Sequence, residues 1–479
     1  MKNIIKLLAV IVVATMAIAC TNEDIPSKPI NPSNPNNPSN PNKLDAPVFS
    51  CNVTENTITV SWEAVEGAIR YEIALNEDLK KTDKLVERFE NLKWNTTYTI
   101  KLQAIAHDEA NNSEVASQEV TIGARIAPAY REWNPQNGAT ANAISDDGRW
   151  VVGCNDRQSM IIDLDYDEIV LIENFDCMDV SDNGIIAGAT YRDNQSGEAA
   201  LYVNGSVIKL DLSELTSSDM SSLQAITPDG EYAVGWWWEY DSNSYYGKMY
   251  DTIVPFIYDV LKDRITILNA GDTLYGTGGV APYGITAEHK IVGCEQSLAM
   301  AAVIWEDEYA PFTYPVFEYD SEYHPTLTFG DTQVRMTPNG KYIYSIAKTY
   351  SETYGEISQP ACYNLETNEL TTFEGTCISG SVTAMTNDGI AFLNDVPYYI
   401  GTTSYVVDIN SGDTETQTPM LNWLLEKHSL YLYGYIRDGI ITVGASADGR
   451  KIVGIVNTDE AGWVTYVIDL DGEAMPDLE

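Results

Sequence analysis

The sequence predicts an all-β protein in which a small β-sandwich is followed by a seven-bladed β-propeller. The 479 residues include 30 Tyr and 10 Trp but only 20% charged residues, a composition that favours strands. Short alternating apolar runs separated by polar turns fill residues 45–124, and one phrase recurs from residue 126 to the end. At roughly 150 residues per domain, the length allows two or three domains.

The first 19 residues predict a targeting signal rather than part of the fold. A basic start, with Lys2 and Lys6, precedes an apolar run over residues 7–19 that is too short to span a bilayer. Small residues then lead into Cys20, in the order Ala17-Ile18-Ala19-Cys20. This segment resembles the lipobox of bacterial lipoproteins, although Ala17 stands where the family usually has Leu. The resemblance implies that Cys20 carries the lipid.

Residues 20–44 form a predicted tether. Residues 26–42 read PSKPINPSNPNNPSNPN and contain almost nothing apolar to bury, so this segment is expected to remain extended. The acidic residues Glu23 and Asp24 resemble the export signal of surface-displayed lipoproteins of glycan-harvesting Gram-negative bacteria. That resemblance implies an outer-membrane protein that faces the cell exterior and holds to the membrane through its lipid alone.

Residues 45–124 predict a sandwich of short strands. Strands are expected over residues 57–62, 71–75, 97–106 and 115–122. The segment resembles a fibronectin type III domain, with Trp62 in the second strand, Tyr71 in the third, and a Leu92–Tyr98–Ala104 pattern. These residues are expected to build the core and the tyrosine corner, so the domain is interpreted as a spacer or docking module.

The remaining residues, 126–479, repeat a phrase of Ser or Thr, an Asp-Gly-type turn and an apolar strand that often ends in Gly. The turns of the seven copies end at Gly148, Gly184, Gly230, His289, Gly340, Gly389 and Gly449. Asp-Gly between apolar strands predicts a hairpin, because Gly adopts the positive φ that such a turn needs. A period of about 50 residues with several strands per unit predicts propeller blades.

The last copy leaves little chain for a fourth strand. A strand from residues 126–142 is therefore expected to pair with the final blade and close the ring, which removes exposed edge strands. The repeats resemble HAF-type and TolB-like propeller repeats, in which isoleucine, serine, any residue, aspartate and glycine precede an apolar strand. This resemblance implies a fold and no particular chemistry.

The charge of the chain and its few histidines argue against several kinds of function. The chain carries 28 Lys and Arg against 70 Asp and Glu, a formal net charge of −42, so binding to nucleic-acid phosphates is not expected. Only four His are present, well separated along the chain, which argues against a His-built zinc site or a His-based triad. No cofactor is predicted. Calcium is the alternative at residues 408–415 (Asp408, Asn410, Gly412, Asp413 and Glu415), which also fit a plain turn between strands.

The cysteines other than Cys20 form no Cys-x-x-Cys motif. Cys154 and Cys294 each follow the strand Gly of their repeat, a position that predicts packing as a small apolar side chain. At most one disulfide is expected.

The candidate binding residues lie in the third repeat, where Trp236-Trp237-Trp238 leads into a turn rich in Tyr, Asp and Asn. Alternation places Trp237 on the opposite strand face from the other two, and one or two of the three, Trp236 foremost, are expected to pack between blades. The predicted aromatic platform consists of Trp238, Tyr240, Tyr245 and Tyr246, with Asp241 and Asn243 bonding ligand hydroxyls.

Three function classes remain open. The first is a surface lipoprotein that binds a polysaccharide or oligosaccharide, of the kind that accompanies an outer-membrane importer complex. The second is a glycan-cleaving hydrolase on the same scaffold, since the many acidic residues always offer some carboxylate pair. The third is a protein–protein adhesion module. No catalytic residue is singled out, and the chain is interpreted as a binding protein rather than an enzyme.

Overall fold

The computed structural model describes residues 43–473 and 475, apart from positions 55, 91, 94–95, 124–126, 136–137, 156–157, 192–196, 219, 241–249, 271–278, 297–299, 320–324, 332–333, 352–354, 374–379, 395–402, 434, 437 and 459–461. The chain divides into two compact units between Arg125 and Ile126. Strands dominate both units, and the all-β fold predicted from the sequence is confirmed.

The first unit is a sandwich of two antiparallel sheets, β1-β2-β5 and β4-β3-β6-β7. Its strands are β1 (Phe49–Thr54), β2 (Thr57–Trp62), β3 (Arg70–Leu75), β4 (Asp78–Thr82), β5 (Val86–Phe89), β6 (Thr96–Ile105) and β7 (Ala116–Ile122). Trp62 and Tyr71 are buried between the sheets with ring centroids 5.5 Å apart. The tyrosine corner forms as predicted, because the backbone N–H of Lys93 donates to the Tyr98 hydroxyl at 2.8 Å.

The second unit contains seven separate sheets, which are the seven predicted blades. The first three blades are β9 (Thr140–Ile144), β10 (Trp150–Asn155), β11 (Gln158–Asp163) and β12 (Glu168–Glu173); β13 (Phe175–Val180), β14 (Ile186–Thr190), β15 (Ala199–Val203) and β16 (Ser206–Lys209); and β17 (Ser221–Ile226), β18 (Tyr232–Tyr240), β19 (Tyr250–Asp259) and β20 (Arg264–Ile267). Each of these sheets follows chain order, so one blade is one continuous meander.

Two further blades are less regular. In its described residues the fourth has three strands, β21 (Val280–Ile285), β22 (Ile291–Glu295) and β23 (Ala302–Trp305). The fifth contains β24 (Phe317–Tyr319), β25 (Pro325–Phe329), β26 (Arg335–Met336), β27 (Tyr342–Ser351), β28 (Gly355–Asn364) and β29 (Glu369–Thr372). Both β25 and β26 pair with β27, so the first strand of this blade is split in two.

The last two blades meet around a helix. The sixth is β30 (Ser381–Met385), β31 (Ile390–Asn394), β32 (Ser404–Asp408) and β33 (Thr418–Pro419), followed by helix α1 (Met420–His428). The seventh is β34 (Asp438–Ala445), β35 (Lys451–Thr458) and β36 (Gly462–Asp469), completed by β8 (Tyr130–Trp133) from the start of the unit. Tyr130 pairs with Ile468, so the closing strand predicted from residues 126–142 is confirmed.

The repeated turn is held by its own side chains. In all seven blades the hydroxyl of the Ser or Thr accepts a backbone N–H at the start of the second strand or one residue before it. The hydroxyls belong to Ser145, Ser181, Thr227, Thr286, Thr337, Thr386 and Ser446. Ser145 also donates to Asp147 Oδ1 at 2.6 Å, and Gly148 has a φ of 73°. In the fourth blade His289 takes the glycine position with a φ of 65°. The motif is therefore structural in every copy.

A glycine within the second strand of five blades faces a bulge in the first strand. A Cβ at Gly153, Gly188, Gly235, Gly293 or Gly454 would lie 2.0–2.4 Å from a carbonyl oxygen of the neighbouring strand. The pairing register shifts beside each of these glycines, for example between Leu223 and Ala225 opposite Gly235. Close backbone approach at the bulge therefore explains the repeated glycine.

Candidate functional site

The topology separates two faces of the propeller. In every blade the Asp-Gly-type turn joins the first strand to the second, and we call the end that carries these turns the lower face. Since successive strands are antiparallel, the connections from second to third strands and from one blade to the next emerge at the other end, the upper face. In the third blade, the upper end of β18 therefore carries Trp238 and Tyr240, two of the predicted binding residues.

Trp237 is the tryptophan that joins the core. It is 1% exposed, stacks on Phe256 with ring centroids 5.3 Å apart, and packs among residues of the second and third blades. Trp236 and Trp238 lie on the opposite strand face, half-buried, with ring centroids 6.0 Å apart. The expected alternation is confirmed, but the expectation that Trp236 would be the most deeply packed is wrong, because the side of β18 that carries Trp237 faces the second blade.

The rest of the predicted platform lies at or beyond the limit of the described residues. Tyr240 ends β18, but its side chain is outside the described part. Asp241, Asn243, Tyr245 and Tyr246 also fall outside it. The platform therefore stays a prediction, of which the structure places only Trp238.

A surface cavity of about 590 Å³ lies beside this strand, on the upper face between the second and third blades. Its wall is the connection from β16 to β17, together with side chains at the upper ends of β15 and β18. The lining is rich in carboxylates and hydroxyls and consists of Glu198, Leu210, Asp211, Leu212, Ser213, Glu214, Leu215, Thr216, Ser217, Ser218, Ser221 and Glu239. We call it the acidic cavity. Its volume is within the range of small-molecule sites.

Glu239 is the best-positioned carboxylate of the acidic cavity. The indole N–H of Trp237 donates to Glu239 Oε2 at 3.0 Å, and the Thr216 hydroxyl donates to the same oxygen at 3.4 Å. A rigid core residue therefore orients a half-buried carboxylate at the cavity wall. Trp237 therefore has a second role besides core packing, the orientation of Glu239, which the sequence pattern did not indicate.

The other charged residues that line the acidic cavity are all carboxylates. The side-chain and backbone hydrogen bonds of Ser213 lower the pKa of Asp211, which keeps that carboxylate ionised. The Lys209 ammonium is 2.5 Å from Glu198 and offsets one of the four carboxylates. A ligand that accepts hydrogen bonds through its own anionic groups would be repelled here, whereas hydroxyl and ammonium donors would be favoured.

A second polar and aromatic surface follows helix α1, on the connection between the sixth and seventh blades. Tyr431 and Tyr433 are 59% and 42% exposed, with ring centroids 5.8 Å apart. The Tyr433 hydroxyl donates to Asn422 Oδ1. Exposed rings beside a hydrogen-bonding amide suit the apolar faces and hydroxyls of a sugar, and this connection also emerges at the upper face.

The inner strands hold a separate group of charges. Five blades have Ala or Gly two residues before the turn hydroxyl, but the second and fifth have Asp179 and Arg335. Burial raises the pKa of Asp179 to about 6, although it accepts the N–H groups of Ile226 and Val180 and is attracted to Arg335. Burial, and then repulsion from Asp179 and other carboxylates, raises the pKa of Asp146 to about 7.

The segment predicted as the calcium alternative forms a short 3-10 helix, Ile409–Ser411, and a turn between β32 and β33. Asp408 accepts the N–H of Asn410 at 2.9 Å, and Asp413 accepts the N–H of Thr416 at 3.0 Å. These carboxylates are engaged by their own backbone. Within the described ranges, no group of three or more His, Cys, Asp or Glu side chains is arranged to hold a metal ion.

The described part of the chain contains no membrane-spanning helix. No helix among the described residues has the length and apolarity needed to cross a bilayer. Cys20, the predicted lipid site, precedes the described part of the chain, so lipidation stays a prediction.

The protein is therefore a two-domain all-β protein whose larger unit is a seven-bladed propeller with a cavity on its upper face. Residues 41–119 match the fibronectin type III domain, in agreement with the two-sheet sandwich of the first unit. A solved structure, FN3tt mut, is 31% identical over 17% of this chain and 97% of its own, with a TM-score of 0.15. No curated protein matches the chain.

The propeller unit is similar to two further solved structures. An oligogalacturonate lyase from Vibrio parahaemolyticus is 10% identical over 72% of this chain and 97% of its own, with a TM-score of 0.43. The β-propeller domain of the Trilobed protease from Pyrococcus furiosus is 13% identical over 69% of this chain and 95% of its own, with a TM-score of 0.42. The fold of this unit is established by its own seven sheets and by the pairing of β8 with β36 that closes the ring, and not by these similarities.

Proposed function

We propose that the chain is a glycan-binding surface lipoprotein and that its ligand is a neutral or amine-bearing saccharide bound at the acidic cavity. The observation that carries this proposal is the oriented carboxylate of Glu239 in a cavity of about 590 Å³ whose other lining residues are mainly Ser, Thr, Asp and Glu. Sugar hydroxyls are donors that such groups accept well, and the apolar side chain of Leu215, 44% exposed, offers a contact for a ring face.

The proposal includes the predicted platform at the end of the same strand. Trp238 and Tyr240 are the neighbours of Glu239 in β18, and Trp238 lies on the opposite strand face from Trp237. We propose that the same saccharide chain also contacts the residues that follow β18 in the sequence, Asp241, Asn243, Tyr245 and Tyr246. The proposed role is capture of a polysaccharide or oligosaccharide for an outer-membrane importer complex.

The experiment is a panel of polysaccharides embedded in native affinity gels, with released reducing sugar measured in parallel. We expect retention by one or more neutral or amino-sugar polymers, weak or no retention by polyuronates, and no released sugar. Release of reducing sugar would instead support the hydrolase reading. No retention by any glycan, with binding to a protein partner, would support adhesion.

Anchoring through Cys20 is a separate part of the proposal and has its own test. Several acyl chains hold a protein to a membrane stably, at about 0.8 kcal/mol per buried CH₂ group. The Cys20→Ala variant should therefore lose lipid labelling and leave the membrane fraction, or remain uncleaved. Replacing Cys51, which lies in β1, with Ala is the matched control and should leave partition unchanged. Unchanged membrane partition of Cys20→Ala would contradict lipidation at this residue.

A further inference from the structure

Two cysteines of neighbouring blades meet at the upper half of the propeller. Cys154 lies on β10 of the first blade, directly after Gly153, and Cys177 lies on β13 of the second blade. Both side chains contribute to the same packed cluster at the junction of the two blades. Asn142 spans the same junction, since its Nδ2 is 3.0 Å from Cys154 Sγ and 3.1 Å from the carbonyl oxygen of Cys177.

We propose that Cys154 and Cys177 form a disulfide that joins the first blade to the second. One amide group, that of Asn142, contacts both cysteine residues, which places them next to each other across the blade junction, as a disulfide requires. The backbone of Cys177 is already fixed, because its N–H donates to the Ser159 hydroxyl at 3.0 Å. The predicted export signal would deliver the chain to a compartment where disulfides persist.

The two thiols differ in access, which gives the reaction an order. Cys154 is half-buried and Cys177 is buried. An incoming disulfide is attacked by the Cys154 thiolate, which forms a mixed disulfide and releases one thiolate. Cys177 then loses its proton to solvent and attacks the Cys154 sulfur, releasing the second thiolate. Two protein thiols are oxidised to one disulfide, and the incoming disulfide is reduced to two thiols.

The second step is expected to be slow. Burial, followed by the neighbouring Cys154, raises the pKa of Cys177 well above its ordinary value, so little of it is thiolate at neutral pH. The rate of closure should therefore rise as the pH increases from 7 to 9.

Cys294 provides a matched comparison within the chain. It follows Gly293 in the fourth blade just as Cys154 follows Gly153 in the first, and it is buried. The position in the fifth blade that corresponds to Cys177 is Gln333. Cys294 therefore has no cysteine at the corresponding place, and it should remain a thiol under the same oxidant.

The test is oxidation of the full chain with glutathione disulfide, followed by alkylation under denaturing conditions and tryptic digestion without reductant. Cleavage after Arg149, Arg157 and Arg192 isolates residues 150–157 and 158–192, each with one cysteine. We expect these peptides joined, with a mass lower than their sum by two hydrogen atoms, and alkylated Cys294. Cys294→Ser should still give the joined peptide, and Cys154→Ser should not.

Recovery of both peptides as separate alkylated species would overturn the proposal, as would linkage of Cys154 to any other cysteine. Thermal denaturation gives a second readout that does not depend on digestion. The oxidised wild-type protein should unfold at a higher midpoint than the reduced protein, and the difference should vanish in Cys154→Ser. An oxidant-dependent shift of the same size in that variant would contradict the assignment.

Discussion

Gly235→Ala should destabilise the propeller by about 3 kcal/mol or more, because the new methyl group has no space. A Cβ at this position would lie 2.3 Å from the carbonyl oxygen of Ser222 and 3.0 Å from the Cα of Leu223. Both are backbone atoms of the bulged first strand, so relief requires the two strands to separate. Chemical denaturation followed by circular dichroism should show the propeller transition at a lower denaturant concentration.

The matched control is Gly123→Ala, where no heavy atom lies within 4 Å of the added Cβ. This substitution should leave the propeller transition where it is in the wild type. A Gly235→Ala protein with wild-type stability would show that the first and second strands of the blade are not as close as described, and the bulge account of the repeated glycine would be wrong.

Tyr130→Ala should cost about 4 kcal/mol of folding free energy, the usual loss for a large buried aromatic side chain. Tyr130 is 5% exposed and packs on Tyr466 and Tyr435, with ring centroids 6.4 and 6.2 Å away. It also belongs to the short strand β8 that completes the seventh blade. Its loss should therefore weaken ring closure as well as the local core.

Amide hydrogen exchange can show where in the propeller Tyr130→Ala weakens the structure. Amides of β36 should exchange faster in Tyr130→Ala than in the wild type, whereas those of the third blade should change less. Tyr130→Phe is the control, because it keeps the ring and removes only the hydroxyl that donates to Glu132. A Tyr130→Ala protein that loses less than about 1 kcal/mol would argue that β8 does not hold the ring together.

The parts of the fold that the sequence predicts are those with local chemistry. A Ser or Thr hydroxyl holds each repeated turn through bonds to neighbouring residues, and six of the seven turns contain Asp-Gly or Asn-Gly. The hairpin between the first and second strands of every blade could therefore be located. The strands β1, β4 and β5 of the sandwich were not predicted, since edge strands such as β4 expose most of their residues and show no apolar alternation. The split first strand of the fifth blade also has no local signal.

The candidate site was less predictable because its residues converge from separate elements. The run of hydroxyl and acidic residues from Asp211 to Ser218 could have been noticed as a polar connection between blades. Its proximity to Glu198 and Glu239 depends on how the second and third blades pack, and the repeat pattern of the sequence does not predict that packing. Likewise, alternation separates Trp237 from its neighbours but does not say which face meets the second blade.

Calorimetric titration with a glycan retained in the affinity-gel panel tests the central claim most directly. Glu239→Gln keeps the side-chain shape but removes the charge that Trp237 orients, and we expect roughly tenfold weaker binding, or about 1.4 kcal/mol. Glu356→Gln removes an exposed carboxylate at the start of β28 on the same face and should bind like the wild type. Wild-type affinity in Glu239→Gln, or equal losses in both variants, would contradict binding at the acidic cavity.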